Sequence, residues 1–78
     1  MNLEVRRYAT LALDRSAAGA VENVELPDGS SVFTLLAELG VAPEAVHLVF
    51  VDGRACTDRS VPLRDGARVG LFPPVGGG

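Results

Sequence analysis

The chain has 78 residues, room for one small domain, and a chain of this length buries only about 60 % of the surface its unfolded form exposes. Its 47 % hydrophobic and 22 % charged residues suffice for a packed core and argue against disorder. Seven arginines, no lysine and ten carboxylates give a net charge of −3 with no basic run beyond Arg6-Arg7, so the cationic face that nucleic-acid binding requires is missing.

The stretch Asn2 to Tyr8 alternates apolar Leu3 and Val5 with polar neighbours, which predicts a half-buried strand. Arg7 breaks that alternation and marks a bulge or the strand end. Ala9 to Ala20 has weak periodicity and reads as a loop with one helical turn. A second strand, Val21 to Leu26, is stopped by Pro27-Asp28-Gly29, a turn in which proline sets φ and glycine accepts positive φ. Ser31 then caps a helix whose apolar residues Val32, Leu35, Leu36 and Leu39 fall on one face, and Gly40 supplies its left-handed stop. Val46 to Val51 is almost continuously apolar and reads as the central strand of the sheet, covered on both faces. Asp52-Gly53 is a hairpin turn of type I′ leading into a short return strand at Arg54-Ala55-Cys56. A further turn at Arg64-Asp65-Gly66 opens the last strand, Ala67 to Phe72. This order of elements predicts an α+β domain with one main helix packed across a mixed sheet of four to five strands.

Composition and spacing exclude several chemistries. The apolar runs fall far short of the ~20 residues that span a bilayer, and no basic start leads into an apolar signal stretch. The expectation is a soluble, cytoplasmic protein with no membrane partner. Cys56 has no second cysteine to pair with, and one cysteine with one histidine cannot form a zinc cage, so no metal is expected. His47 and Cys56 read as a strand-edge histidine and a small packed thiol. No paired carboxylates or phosphate-cradling glycine loop stand at catalytic spacing, and the chain does not look like a self-sufficient enzyme.

The unusual feature is the end of the sequence. Pro73-Pro74 is stiff and extended, and Val75-Gly76-Gly77-Gly78 after it is slim enough for a narrow tunnel in another protein. The segment from Leu63 through Phe72-Pro73-Pro74-Val75-Gly76-Gly77-Gly78 resembles the C-terminus of the MoaD/ThiS family of ubiquitin-like sulfur carriers. It is most similar to the small subunit of molybdopterin synthase, whose members end in Phe-Pro-Pro-Val, one small residue and Gly-Gly. The likeness extends to the strand after Met1, the Ser31-capped helix ending Glu38-Leu39-Gly40, and the Val51-Asp52-Gly53 turn.

The resemblance implies a ubiquitin-like β-grasp domain over 1–72 and an extended carrier tail over 73–78. It implies that Gly78 is adenylated by an ATP-using enzyme of the ubiquitin-activating type and converted to a thiocarboxylate. The chain itself binds no cofactor. Other implied partners are a sulfur donor protein and the molybdopterin synthase large subunit, which receives Phe72, Pro73, Pro74, Val75, Gly76 and Gly77 ahead of the reactive end. Sulfur delivery for thiamine thiazole or another metabolite, and ubiquitin-like protein modification, are the alternatives. Strand alternation turns Phe72 outward if Val69 and Leu71 are core, either as a docking anchor or as a cap on the edge of its own core.

Overall fold

A computed structural model describes residues 1–12 and 19–74. Strand β1 (Asn2–Arg7) turns Leu3, Val5 and Arg7 inward and Asn2, Glu4 and Arg6 outward. Strand β2 (Val21–Glu25) returns antiparallel to it, placing Val24 opposite Leu3 and Glu22 opposite Val5. Arg7 therefore does not break the alternation. It occupies an inward site, and its guanidinium donates to both carboxylate oxygens of Glu22 at 2.8 and 2.9 Å. The two-pronged pair lets a charged side chain take a core position.

Helix α1 (Val32–Leu39) begins at Ser31, whose hydroxyl accepts from the Thr34 N–H while the Thr34 hydroxyl accepts from the Ser31 N–H. Two orphan donors are satisfied by this reciprocal cap. Gly40, at φ 71°, ends the helix in the left-handed conformation. Eight residues would be marginal as an isolated helix. What holds α1 is its stripe: Val32, Leu35 and Leu36 are fully buried, and Leu39 packs against the same core.

Strands β3 (Leu48–Val51), β4 (Arg54–Ala55) and β5 (Arg68–Phe72) complete a five-stranded sheet in the order β2-β1-β5-β3-β4. β5 runs parallel to β1 and antiparallel to β3, and the other pairings are antiparallel. The mixed sheet with one helix is as the sequence leads one to expect. Leu3, Val5, Val49, Val69 and Leu71 meet the helix stripe in one core, with Val51 packed at its margin. At the β3–β4 turn Asp52 and Gly53 both have positive φ, 51° and 81°, as a type I′ turn demands.

Two readings change. The centre of the sheet is β5 and not the apolar run at Val46–Val51, which supplies β3, one strand from the edge. Nor is β3 covered on both faces, since Leu48 is 43 % exposed. Among the described residues one short α-helix covers one face only, so there the outward apolar residues of β3 belong to an uncovered surface. In the Ala9–Ala20 region the structure has a 3-10 turn at Ala9–Leu11, and residues 13–18 lie outside the described part. No helix among the described residues is long and apolar enough to cross a membrane.

Candidate functional site

The bare face of the sheet carries the candidate site. Because Val69 and Leu71 point into the core, Arg68, Gly70 and Phe72 of β5 point away from it. The same parity sends Glu4 and Arg6 of β1 outward, with Tyr8 next in line, and Phe50 of β3 stands opposite Gly70. These residues line an open cleft of about 330 Å³. Its floor is aromatic. The Phe72 ring stacks on Tyr8, with centroids 4.4 Å apart and planes 3° from parallel, and Phe50 meets it edge-on at 5.5 Å and 81°. Both geometries are favoured by the ring quadrupole.

Gly70 makes room for this cluster. A Cβ there would lie 3.4 Å from Phe72, 3.7 Å from Tyr8 and 3.9 Å from Phe50. The backbone is held as firmly as the rings. The Tyr8 N–H donates to the Leu71 carbonyl at 3.1 Å, and the His47 N–H donates to the Phe72 carbonyl at 2.8 Å. Strand β5 is thus fastened on both sides up to the residue before Pro73. Phe72 faces outward, as strand parity requires, but it is half-buried and braced by two rings instead of projecting alone. Pro73 is half-buried and Pro74 exposed. Val75, Gly76, Gly77 and Gly78 lie outside the described residues.

Charge sits on the rim. Arg68 lies 3.5 Å from the Glu4 carboxylate, and Arg6 donates to the Gly19 carbonyl at 3.3 Å. Such exposed contacts add little stability but ring the apolar floor with polar groups. Past Gly53, the Asp52 carboxylate accepts from the Arg68 N–H at 3.0 Å and from the Arg64 guanidinium at 3.2 Å, which together hold it below the usual carboxylate range.

Elsewhere the chemistry is sparse. Cys56 is half-buried against the core, its thiol donating to the Asp58 carbonyl at 3.3 Å and not to His47. The Asp58 carboxyl is itself lowered by hydrogen bonds from the Ser60 hydroxyl and N–H. Among the described residues, no group of three or more His, Cys, Asp or Glu side chains is placed to hold a metal ion.

Reasoning from sequence singled out Phe72 and missed Tyr8, Phe50 and Gly70. A signal was present: Leu48 and Phe50 share the outward parity of β3, and the one α-helix among the described residues packs on the other face.

The model of the ThiS family matches residues 11–78. The chain belongs to that family, and with it to the MoaD/ThiS ubiquitin-like sulfur carriers. Among solved structures this family member is similar to a Pyrococcus furiosus protein designated molybdopterin converting factor, subunit 1. Identity there is 27 % over 96 % of this chain and 99 % of that one, with a TM-score of 0.72. The small archaeal modifier protein 1 of H. volcanii shares the fold at 20 % identity, covering 95 % of this chain and 98 % of that one, TM-score 0.72. So does a chain from the complex of subunits 1 and 2 of the molybdopterin-converting factor of Helicobacter pylori 26695, at 22 % identity, full coverage of both chains (100 % each) and TM-score 0.64. No curated protein matches the chain closely enough to count as a relative. With these neighbours the five-stranded sheet and its helix are a ubiquitin-like β-grasp.

Proposed function

We propose that this ThiS-family chain carries sulfur as a thiocarboxylate on Gly78 and delivers it for molybdopterin synthesis, as the small subunit of molybdopterin synthase. The observation that carries the reading is the aromatic cleft at the base of the tail. An open apolar floor on the face of a small sheet is a docking surface in waiting, and here the chain leaves that surface directly into Pro73-Pro74. The Pyrococcus furiosus neighbour, designated molybdopterin converting factor, subunit 1, supports this choice of acceptor. The Helicobacter pylori complex supports a large subunit as partner.

The chemistry divides between carrier and partners. A carboxylate is a poor electrophile, since its charge is delocalised and its leaving group would be oxide. An activating enzyme of the ubiquitin-activating type lets a Gly78 carboxylate oxygen attack the α-phosphorus of ATP, and pyrophosphate leaves. Sulfur at the sulfide level, brought by a donor protein, then attacks the acyl carbonyl. AMP departs with the former carboxylate oxygen, and a thiocarboxylate remains, a soft nucleophile at neutral pH. The carrier contributes delivery: docking turns a free sulfur source into one held at the reacting centre. Its tail residues Val75, Gly76 and Gly77 add no side chain bulkier than valine, so the end can thread a narrow channel. The same tail chemistry would serve sulfur delivery to thiamine thiazole or another metabolite.

The modifier neighbour favours a second reading, in which Gly78 is joined to lysines of other proteins. This chain has no lysine, so it could donate itself to such targets but not accept a second copy on a side-chain amine. Incubation with the activating enzyme, ATP and sulfide, followed by intact mass, decides between them. Replacement of one oxygen by sulfur supports the carrier. Isopeptide-linked peptides in a mixture of lysine-bearing proteins support the modifier, and an unchanged mass overturns both.

A further inference from the structure

We infer that Gly70 determines the specificity of the docking cleft: the hole it leaves in the outer face receives one bulky apolar side chain of the synthase large subunit, with a carboxylate of that subunit beside it. The inference rests on the carrier reading above and adds to it the residue that selects the partner.

The other five glycines among the described residues have φ between 71° and 88° and serve turns or the helix stop. Gly70 is different. It lies inside β5, between β1 and β3, and its φ is not positive. Glycine weakens a strand interior, because it gives up the most backbone freedom and has no side chain to pack. Where it stands there without a bend, it marks a close approach by another molecule. The space at Gly70 is also more than the surrounding rings need. A Cβ would meet its nearest neighbour, Phe72, at 3.4 Å, which is ordinary van der Waals contact, and Tyr8 and Phe50 lie farther off. This chain's own packing therefore leaves the space over Gly70 unused.

That space has four walls. Arg68 and Phe72 stand two residues before and after Gly70 on the same face of β5, and Arg6 of β1 and Phe50 of β3 are its partners across the sheet. Neighbouring strands lie about 4.8 Å apart, so the walls on β1 and β3 are about 10 Å from each other, a gap one side chain wide. The floor is backbone. An apolar side chain lowered into it meets rings on two sides and arginine hydrocarbon on the other two, the enclosed setting in which interface anchors act. The guanidinium heads are engaged at the rim, Arg68 with Glu4 and Arg6 with the Gly19 carbonyl. Two guanidiniums against one carboxylate leave the rim positive, on a chain whose net charge is −3. A carboxylate next to the inserted side chain is the complement of that rim.

The test measures, by titration calorimetry, the affinity of the full chain and its variants for the large subunit of the same organism. Gly70→Leu fills the hole with this chain's own side chain and is expected to weaken binding at least about thirtyfold, the scale of a hot spot. Gly70→Ala adds one methyl at the floor, and a loss of about fivefold is expected. Its Cβ contacts are ordinary, so its Tm should not fall, and the test stands even if the leucine variant folds poorly. Asn23→Leu adds the same bulk at an exposed position of β2, opposite Glu4 and outside the cleft, and should leave affinity unchanged. Added salt should weaken binding of the unaltered chain, and weaken that of Arg6→Gln less; a salt-independent affinity would overturn the acidic flank. Unchanged affinity in every folded Gly70 variant would overturn the proposal. So would an effect confined to KM with the activating enzyme, or a dimer of the unaltered chain that Gly70→Leu dissolves, since the hole would then serve another occupant. If the unaltered chain gains sulfur but does not bind the large subunit, the acceptor proposed above falls and this inference with it. If it binds and the Gly70 variants bind equally well, this inference alone falls.

Discussion

Truncating Phe72 to alanine perturbs two things at once, and the structure says how much of each. The ring is half-buried on the outer face, where a fully buried phenylalanine would cost about 3–5 kcal/mol to truncate. Half of that, about 2 kcal/mol, is the expected loss, and it agrees with two aromatic pairings at about 0.5–1.5 kcal/mol each. For a domain of this size that corresponds to a fall in Tm of roughly 8–16 °C. A Phe72 that projected alone as a docking anchor would cost less in stability than in binding. The stack on Tyr8 and the edge contact with Phe50 raise it to at least the same size. Affinity for the synthase large subunit should also fall, by more than about 1 kcal/mol, the scale of an interface anchor. Stability is read by urea unfolding followed by far-ultraviolet dichroism, and affinity by titration calorimetry at a temperature where the variant remains folded. Phe72→Leu, which keeps apolar area but loses both ring geometries, should recover part of each. A stability loss under about 0.5 kcal/mol would refute the braced ring, within the ±0.5 kcal/mol typical of surface changes. A large stability loss with unchanged affinity would make Phe72 a brace and not an anchor.

Deleting Gly78 should abolish thiocarboxylate formation at the native position while leaving Tm nearly unchanged, and a markedly lower Tm would make the tail part of the folded domain. Glu22→Ala strands the Arg7 guanidinium, whose side chain is only 9 % exposed, while Glu22 is itself 32 % exposed and partly solvated. The expected cost is about 2–3 kcal/mol, below the ~3–5 of a fully buried pair, and the double replacement Arg7→Met with Glu22→Leu should cost far less; equal costs in a double-mutant cycle would refute the pairing. The Asp52 carboxyl should titrate below its ordinary value of 3.8 because the Arg68 N–H and the Arg64 guanidinium favour its charged form. Its stabilising effect is then complete above that value and lost as pH falls through the lower folded one, so exchange of the Arg68 amide should quicken only in that acid window. A carboxyl resonance with its midpoint at or above 3.8 would contradict this.

The helix was legible because each of its signals is local. Ser31, the four-residue apolar stripe and Gly40 act within one or two turns, and all behave as their positions require. Strand existence was equally legible, but strand order was not, because order depends on pairings between distant segments. The apolar run at Val46–Val51 misled on that point. Continuous apolarity reports that both faces avoid water in the end, without saying whether the protein or a partner does the covering. Arg7 misled in the opposite way, since a charge in a strand predicts an exposed site unless its Glu22 partner, fifteen positions away, is known to meet it. Of the site, Phe72 and the tail were visible as a motif. Tyr8 and Gly70 were not, since nothing in their immediate neighbours marks them; they matter only once β1 and β5 lie side by side.

That side-by-side placement has a mechanical consequence. β1 and β5 run parallel, so the start of β1 and the end of β5 lie at opposite ends of the pair. Tension applied to the tail and resisted near residue 2 therefore acts along the strands and not across them. The ladder bonds of β5 to β1 on one side and to β3 on the other carry the load together, where a peeling geometry would break them one at a time. A machine that grips this protein by its tail pulls on the most firmly flanked strand of the sheet, and the domain yields by shear, the slowest way for a sheet to come apart.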